Sequence, residues 1–208
     1  MNWVESATLY GIIDLGYISA AQAPEVARQM IAGKVDIVQL RAKTLPSHLF
    51  ADLAGQLAPI FREAGIPFIL NDHPELVANT GASGAHVGQD DISVAEARRL
   101  AGPGAIIGKS THSLLQAIAG AAEADYIGFG PLFATPTKPD YQPIGLDDIR
   151  SAHTKISVPI FCIGGVKLEN IPLILASGAR RVVIVSGLLQ ATDLVAYALS
   201  VKKLLPSL

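Results

Sequence analysis

The chain has a single cysteine, Cys162, among 208 residues, which excludes an internal disulfide and any cysteine-based zinc site. Cys162 sits inside an apolar run, where inert packing is the expected role of a lone thiol. Charge is scarce as well: 16% of residues are charged and the formal net charge is -2. That balance gives no reason to expect nucleic acid or an anionic membrane as partner, although a local basic cluster can still hold a phosphate. No uninterrupted apolar segment approaches the ~20 residues needed to span a bilayer. The opening residues Met1 to Glu5 lack the basic region and apolar run of a signal peptide, so a cytoplasmic protein is expected. Linkers and low-complexity segments are absent, and no serine stands in a nucleophile-elbow pattern.

Apolar residues, by contrast, make up half of the chain, the composition of a compact protein with a large core. One domain over residues 1–208 is the economical count. The apolar residues gather in short runs that end alike. Tyr126-Ile127-Gly128-Phe129-Gly130 leads through Pro131 to Phe133 into Ala134-Thr135-Pro136-Thr137-Lys138. That loop carries two hydroxyls, exposed amides and an ammonium, which suit a phosphate or pyrophosphate. The run 36–40 ends at Arg41-Ala42-Lys43, 67–70 at Asn71-Asp72, and 85–87 at Gly88-Gln89-Asp90-Asp91. The run 105–108 ends at Lys109-Ser110-Thr111-His112, 159–163 at Gly164-Gly165-Val166, and 181–185 at Ser186-Gly187. A first strand, Leu9 to Ile13, stops at Asp14.

Helical spacing fills the intervals. Pro24 opens a helix that Gly33 ends, and Ser47 is placed to cap a long one that Gly65 closes. A short helix is expected near Pro74 to Asn79. Ser93 and Ser113 start capping-box spacings with Glu96 and Gln116, predicting helices of about 94–101 and 114–122. Further helices are expected from Gly145 to about His153, after Asn170 as cap with Gly178 as stop, and from Asp193. Strand and helix thus alternate eight times. Continuous apolar strands such as Val182 to Val185 imply burial on both faces, as in parallel sheets. The expected fold is a single-domain α/β (β/α)8 TIM barrel, whose strand C-termini share one mouth. An open doubly wound sheet would put ligands at one switch point instead.

Such a mouth collects Gln39, Arg41, Lys43, Asn71, Asp72, Gln89, Asp91, Ser110, Thr135, Thr137, Lys138, Gly165 and Ser186. Carboxylates among cations compose a metal–pyrophosphate site. Asp72 and Asp91 are candidate magnesium (Mg2+) ligands, and Arg41, Lys43 and Lys138 are candidates for the remaining negative charge. Asp90, on the other side of its turn, reads as a surface charge. Gly164-Gly165 and Ser186-Gly187 fall where barrels hold a phosphate monoester. His86 reads as a packed or orienting residue, and His112 as a substrate contact or a loop fastener. His48, His73 and His153 read as solvent-facing.

In this order the segments Gln39 to Lys43, Asn71-Asp72, His86 to Asp91, Gly108 to His112 and Gly130 to Lys138 resemble the thiamine phosphate synthase family. Gly164-Gly165 and Val185-Ser186 extend the resemblance over nearly the whole chain. It implies a transferase of thiamine biosynthesis: a hydroxymethylpyrimidine diphosphate loses pyrophosphate, and the nitrogen of a thiazole phosphate takes its place. The pyrimidine diphosphate binders then match Gln39, Arg41, Lys43, Asn71, Ser110 and Lys138, of which Arg41, Lys43, Ser110 and Lys138 form the catalytic set. Asp72 and Asp91 match the metal ligands. Thr135, Pro136, Thr137, Gly165, Val185 and Ser186 match the thiazole phosphate side. Two departures stand out, His73-Pro74 and Lys109. A basic residue at 109 is shared with related thiazole tautomerases, the alternative enzyme; a barrel that only binds a phosphorylated ligand is the alternative from another class.

Overall fold

Eight short apolar segments supply the strands, β1 (Leu9–Asp14), β2 (Ile37–Arg41), β3 (Phe68–Asn71), β4 (Gly84–Val87), β5 (Ile106–Thr111), β6 (Tyr126–Phe129), β7 (Ile160–Cys162) and β8 (Val182–Ile184). Each pairs in parallel with the next, and β8 pairs with β1, so the sheet closes into a barrel. The structure, a computed structural model, describes residues 3–135 and 142–208. Its helices are α1 (Trp3–Ser6), α2 (Ala23–Ala32), α3 (Ser47–Glu63), α4 (Val77–Thr80), α5 (Val94–Ala101), α6 (Leu114–Ala121), α7 (Ile149–Lys155), α8 (Ile171–Ala176), α9 (Ser186–Leu189) and α10 (Leu194–Leu204).

The pleat divides each strand between two cores. Outward residues such as Val38, Leu40, Leu70, Ile107 and Ile184 pack with helix residues including Met30, Leu53, Leu57 and Phe61. Inward residues make a separate cluster of Tyr10, Ile12, Ile37, Ile69, Tyr126, Phe161 and Val183, which Val4 and Ala7 join from the end where β1 begins. At that same end the Asp36 carboxylate accepts from the amides of Thr8 and Leu9, each at 2.8 Å, and from Lys202 Nζ at 2.7 Å. It thereby ties α10 to the strand that closes the barrel.

The expected helix starts hold where a side chain can cap. Ser93 and Ser113 accept from the amides of Glu96 and Gln116 at 3.1 and 3.2 Å, and Asp193 accepts from Ala196 at 2.9 Å. The return halves of the two capping boxes differ: Glu96 pairs with Arg99, while Gln116 Oε1 accepts from the amide of His112 at 2.8 Å. Three starts depart from expectation in whole or in part. Pro46 takes the cap position of α3, leaving Ser47 as its first residue. Asn170 takes the N-cap position of α8 as expected, but its side chain bonds to Lys167 and Gly165 and not to the first turn of the helix. The segment after Gly145 becomes helical only at Ile149, because Gly145 has φ 72°, outside the right-handed helical region.

Two histidines also depart from expectation. The ring of His73 packs on Phe50 with centroids 4.4 Å apart, and Nδ1 lies 2.9 Å from Glu75 Oε1. His153 on α7 is half-buried, and its Nε2 is buried without a hydrogen-bond partner. Burial, aided by the Arg180 and Arg181 charges, pushes its pKa down from 6.5 to about 4. The folded state therefore prefers neutral His153, whereas the unfolded chain binds a proton near pH 6.5. The stability from this group is complete above that pH and declines as pH falls toward about 4. Urea unfolding across this window is expected to show a shallower loss for His153→Gln than for the wild type; parallel curves would contradict it.

Candidate active site

The parity that places Tyr10 and Ile12 inside the barrel also turns Asp14 inward at the end of β1, and Gln39 and Arg41 do the same on β2. Arg41 Nη1 donates to Asp14 Oδ2 at 2.7 Å; the Asp14 side chain is only 2% exposed. The other Asp14 oxygen accepts from the amide of Gly16 at 2.9 Å. Arg41 is thus aimed by a buried carboxylate that sequence reading treated only as a strand stop. The sequence does carry one signal for it, an acidic residue at the mouth end of an otherwise apolar strand.

Above the inner apolar cluster lies a concave cavity that opens at the barrel mouth, the kind of place where small-molecule sites form. Of the residues expected at the mouth, Gln39, Arg41, Asn71, Ser110, Thr135, Gly165, Val185 and Ser186 line it. Pro136, Thr137 and Lys138 lie outside the described residues. Sequence reading missed Tyr10, Tyr126 and Phe161 in the floor, along with Ile163 and Val183. Across this floor Gln39 Nε2 donates to Tyr10 Oη at 2.9 Å, and Tyr10 Oη lies 2.9 Å from Tyr126 Oη. His86 stands 3.1 Å from Tyr126 Oη through Nδ1 and 2.8 Å from Ser110 Oγ through Nε2. Burial pushes both tyrosine pKa values up, so both phenols stay neutral. His112 also lines the cavity, and its Nδ1 donates to the Gly130 carbonyl at 2.5 Å.

Lys43, Asp72 and Asp91 form a separate cluster at the rim. Lys43 Nζ pairs with Asp72 Oδ2, which also accepts from Asn71 Nδ2 at 2.6 Å. Asp91 Oδ2 accepts from the amide of Gly88 at 2.6 Å. The two carboxyls interact directly. Burial raises the pKa of Asp72, the neighbouring Asp91 adds to the rise, and Lys43 opposes it. For Asp91, burial is outweighed by the Gly88 amide, the Asp72 carboxyl and the charges of Lys43 and Lys109, so its pKa is lowered. Asp72 has φ 62°, a left-handed conformation that a short polar residue tolerates. Among the described residues no group of three or more His, Cys, Asp or Glu side chains converges; the rim offers two carboxylates. Asp90 is exposed.

Lys109 does not line the cavity. One residue out of phase with Gly108 and Ser110, it turns to the outer side of β5 and donates from Nζ to the Gly88 carbonyl at 2.6 Å. It therefore braces the turn that carries Asp91, and the feature that suggested a tautomerase has a structural role. Gln89 likewise serves the framework, donating from Nε2 to the Ser110 carbonyl at 2.6 Å.

Fold and cavity together define the class: a (β/α)8-barrel enzyme with its site at the C-terminal ends of the strands. The family model described as thiamine monophosphate synthase matches residues 9–188. The chain is 36% identical over 199 residues to the thiamine-phosphate synthase of Methanocella arvoryzae, covering 95% of this chain and 94% of that one. With the thiamine-phosphate synthase of Thermus thermophilus it shares 42% identity over 166 residues, 78% of this chain and 79% of that one. Its fold is similar to that of thiamine phosphate pyrophosphorylase from Pyrococcus furiosus, with TM-score 0.87 and 26% identity over 98% of this chain and 97% of that one. The chain belongs to the thiamine monophosphate synthase family, and its activity is that of a transferase in thiamine biosynthesis. No described helix is long and apolar enough to cross a membrane.

Gly165 has φ 65°, and a Cβ there would lie 2.7 Å from Phe133 Cβ and 3.1 Å from the Ala134 carbonyl oxygen. Gly165→Ala is expected to lower unfolding stability by about 1–2 kcal/mol through the left-handed backbone. It should also weaken binding of a phosphate monoester through the displaced 133–134 segment. Urea titration and calorimetric binding check the two effects, and wild-type values for both would contradict the assignment.

Proposed function

We propose that the cavity holds hydroxymethylpyrimidine diphosphate and thiazole phosphate side by side and joins them, giving thiamine phosphate and pyrophosphate. The observation that carries this reading is a single cavity reaching from Gln39, Arg41, Asn71 and Ser110 to Gly164, Gly165 and Ser186, with Lys43, Asp72 and Asp91 at its rim. Gln39, Asn71 and Ser110 offer hydrogen bonds to the pyrimidine end. Gly165, Val185 and Ser186, with Thr135, receive the thiazole phosphate. Pro136, Thr137 and Lys138 are assigned from sequence alone, the first two to the thiazole phosphate and Lys138 to the leaving diphosphate.

The bond that breaks joins the pyrimidine methylene carbon to the diphosphate oxygen, and its electron pair leaves with pyrophosphate. The new bond forms from the lone pair of the thiazole nitrogen to that carbon. No proton has to move, which agrees with a floor of neutral hydroxyls. The chain's task is to hold the two reactants in line and to stabilise the departing charge. Arg41, held by Asp14, and Lys43 face that charge. Asp72 and Asp91 suit a magnesium ion, since oxygen donors on two interacting carboxylates match its preference for carboxylates shared with substrate phosphates. When bound, it would neutralise the diphosphate and ease its departure.

Turnover with both substrates, with pyrophosphate released one-to-one with product, tests the reading. Asp72→Asn and Asp91→Asn are each expected to slow turnover by roughly 10²–10³-fold, equivalent to about 3–4 kcal/mol of transition-state stabilisation. Added magnesium should partly restore it, and Asp90→Asn should be much milder. Wild-type turnover that survives chelation, or an Asp90→Asn defect equal to that of Asp91→Asn, would refute the metal assignment.

A further inference from the structure

The hydrogen bonds across the cavity floor form one continuous line, Gln39–Tyr10–Tyr126–His86–Ser110, with gaps of 2.9, 2.9, 3.1 and 2.8 Å. It crosses the barrel from β2 to β5 and uses β1, β6 and β4 on the way. Its path is kept clear by glycine. A Cβ on Gly108 would lie 2.1 Å from Tyr126 Cζ and 2.5 Å from His86 Nδ1, so any side chain there would stand in the line.

Each hydroxyl has one proton to donate, so the direction of the first bond settles the rest. Gln39 donates to Tyr10, leaving the buried Tyr10 proton to Tyr126 as its acceptor. Tyr126 must then donate to His86 Nδ1, which carries no proton. A neutral imidazole with bare Nδ1 is protonated at Nε2, and that N–H donates to Ser110 Oγ. The Ser110 proton remains, and Ser110 lines the cavity. The opposite polarity requires the Gln39 amide to be turned over, so that its oxygen accepts from Tyr10. Ser110 would then donate to His86 and offer the cavity only lone pairs.

We propose that Tyr10, Tyr126 and His86 are positioning residues that hold this line in a single direction, fixing His86 as the Nε2–H tautomer and turning the Ser110 proton into the cavity as a donor to a ring nitrogen of the pyrimidine. The substrate part rests on the placement of the pyrimidine proposed above; the polarity does not. A heteroaromatic nitrogen accepts and cannot donate, so only this polarity makes Ser110 complementary to it. At the other end, Gln39 keeps one N–H and its carbonyl oxygen for the ligand.

Side-chain 15N chemical shifts of His86 in the wild-type protein, identified by their loss in His86→Asn, test the polarity without any substrate. The expected result is an unprotonated Nδ1 and a protonated Nε2; a proton on Nδ1 overturns the proposal. Kinetics test the coupling. Tyr126→Phe keeps the ring but cuts the line, and should raise KM for the pyrimidine diphosphate about tenfold, the worth of one hydrogen bond. KM for thiazole phosphate should stay unchanged. In a Ser110→Ala background Tyr126→Phe should add nothing. Independent, multiplying effects, or equal losses for both substrates, would mark a general packing role and overturn the relay. Should Ser110→Ala leave the pyrimidine KM unchanged while His86 keeps its Nε2 proton, the polarity stands and the pyrimidine placement fails.

Discussion

Closure of parallel strands is the constraint on which the site depends. Once β8 pairs with β1, every second residue must enter a shared interior, and the last inward residue of each strand must reach one mouth. Arg41, Asn71 and Ser110 come from different strands, yet each stands at such a position, with Gln39 one inward step deeper on β2 and Gly165 in the turn after β7. The same closure leaves no edge strand and buries each strand on both faces, so polar side chains in the interior have to satisfy one another. Arg41 with Asp14, and the line of groups from Gln39 to Ser110, meet that demand while presenting their free capacity to the cavity.

The interior is also zoned by charge. Its floor is neutral, because burial keeps Tyr10 and Tyr126 as phenols. The ionised groups gather at the rim, where Lys43, Asp72 and Asp91 meet partly in water. This separation suits two tasks in one cavity. An uncharged floor recognises rings by hydrogen-bond direction and shape, whereas a charged rim accommodates a leaving group whose negative charge grows as the bond breaks.

Much of this was legible in the sequence. Each strand is a short apolar run ending in ligand-type residues, and Ser93, Ser113 and Asp193 mark helix starts through a capping mechanism that local sequence reveals. The start of α7 was not legible, because a glycine enters the left-handed region as readily as the helical one and its type does not say which it takes. Ser47 misled because the residue before it takes the cap position, and Asn170 holds its cap position while its side chain serves the preceding turn. The floor was the larger omission. A strand buried on both faces has no alternating pattern, so nothing in Leu9 to Asp14 or Tyr126 to Phe129 tells which residues point inward. His153 was misread because α7 has little apolar periodicity to show which face is buried.

The central claim is that one cavity accommodates both reactants end to end, with the ring over the floor and the phosphate on the glycine turn. A crystal structure with thiamine phosphate and pyrophosphate bound tests it most directly. The expected result is the pyrimidine within hydrogen-bonding reach of Gln39 and Ser110, the phosphate against Gly165 and Ser186, and pyrophosphate beside Arg41 and the Asp72–Asp91 rim. A reversed product, with its phosphate at Arg41 and its pyrimidine at Gly165, or a product bound outside the barrel mouth, would contradict it.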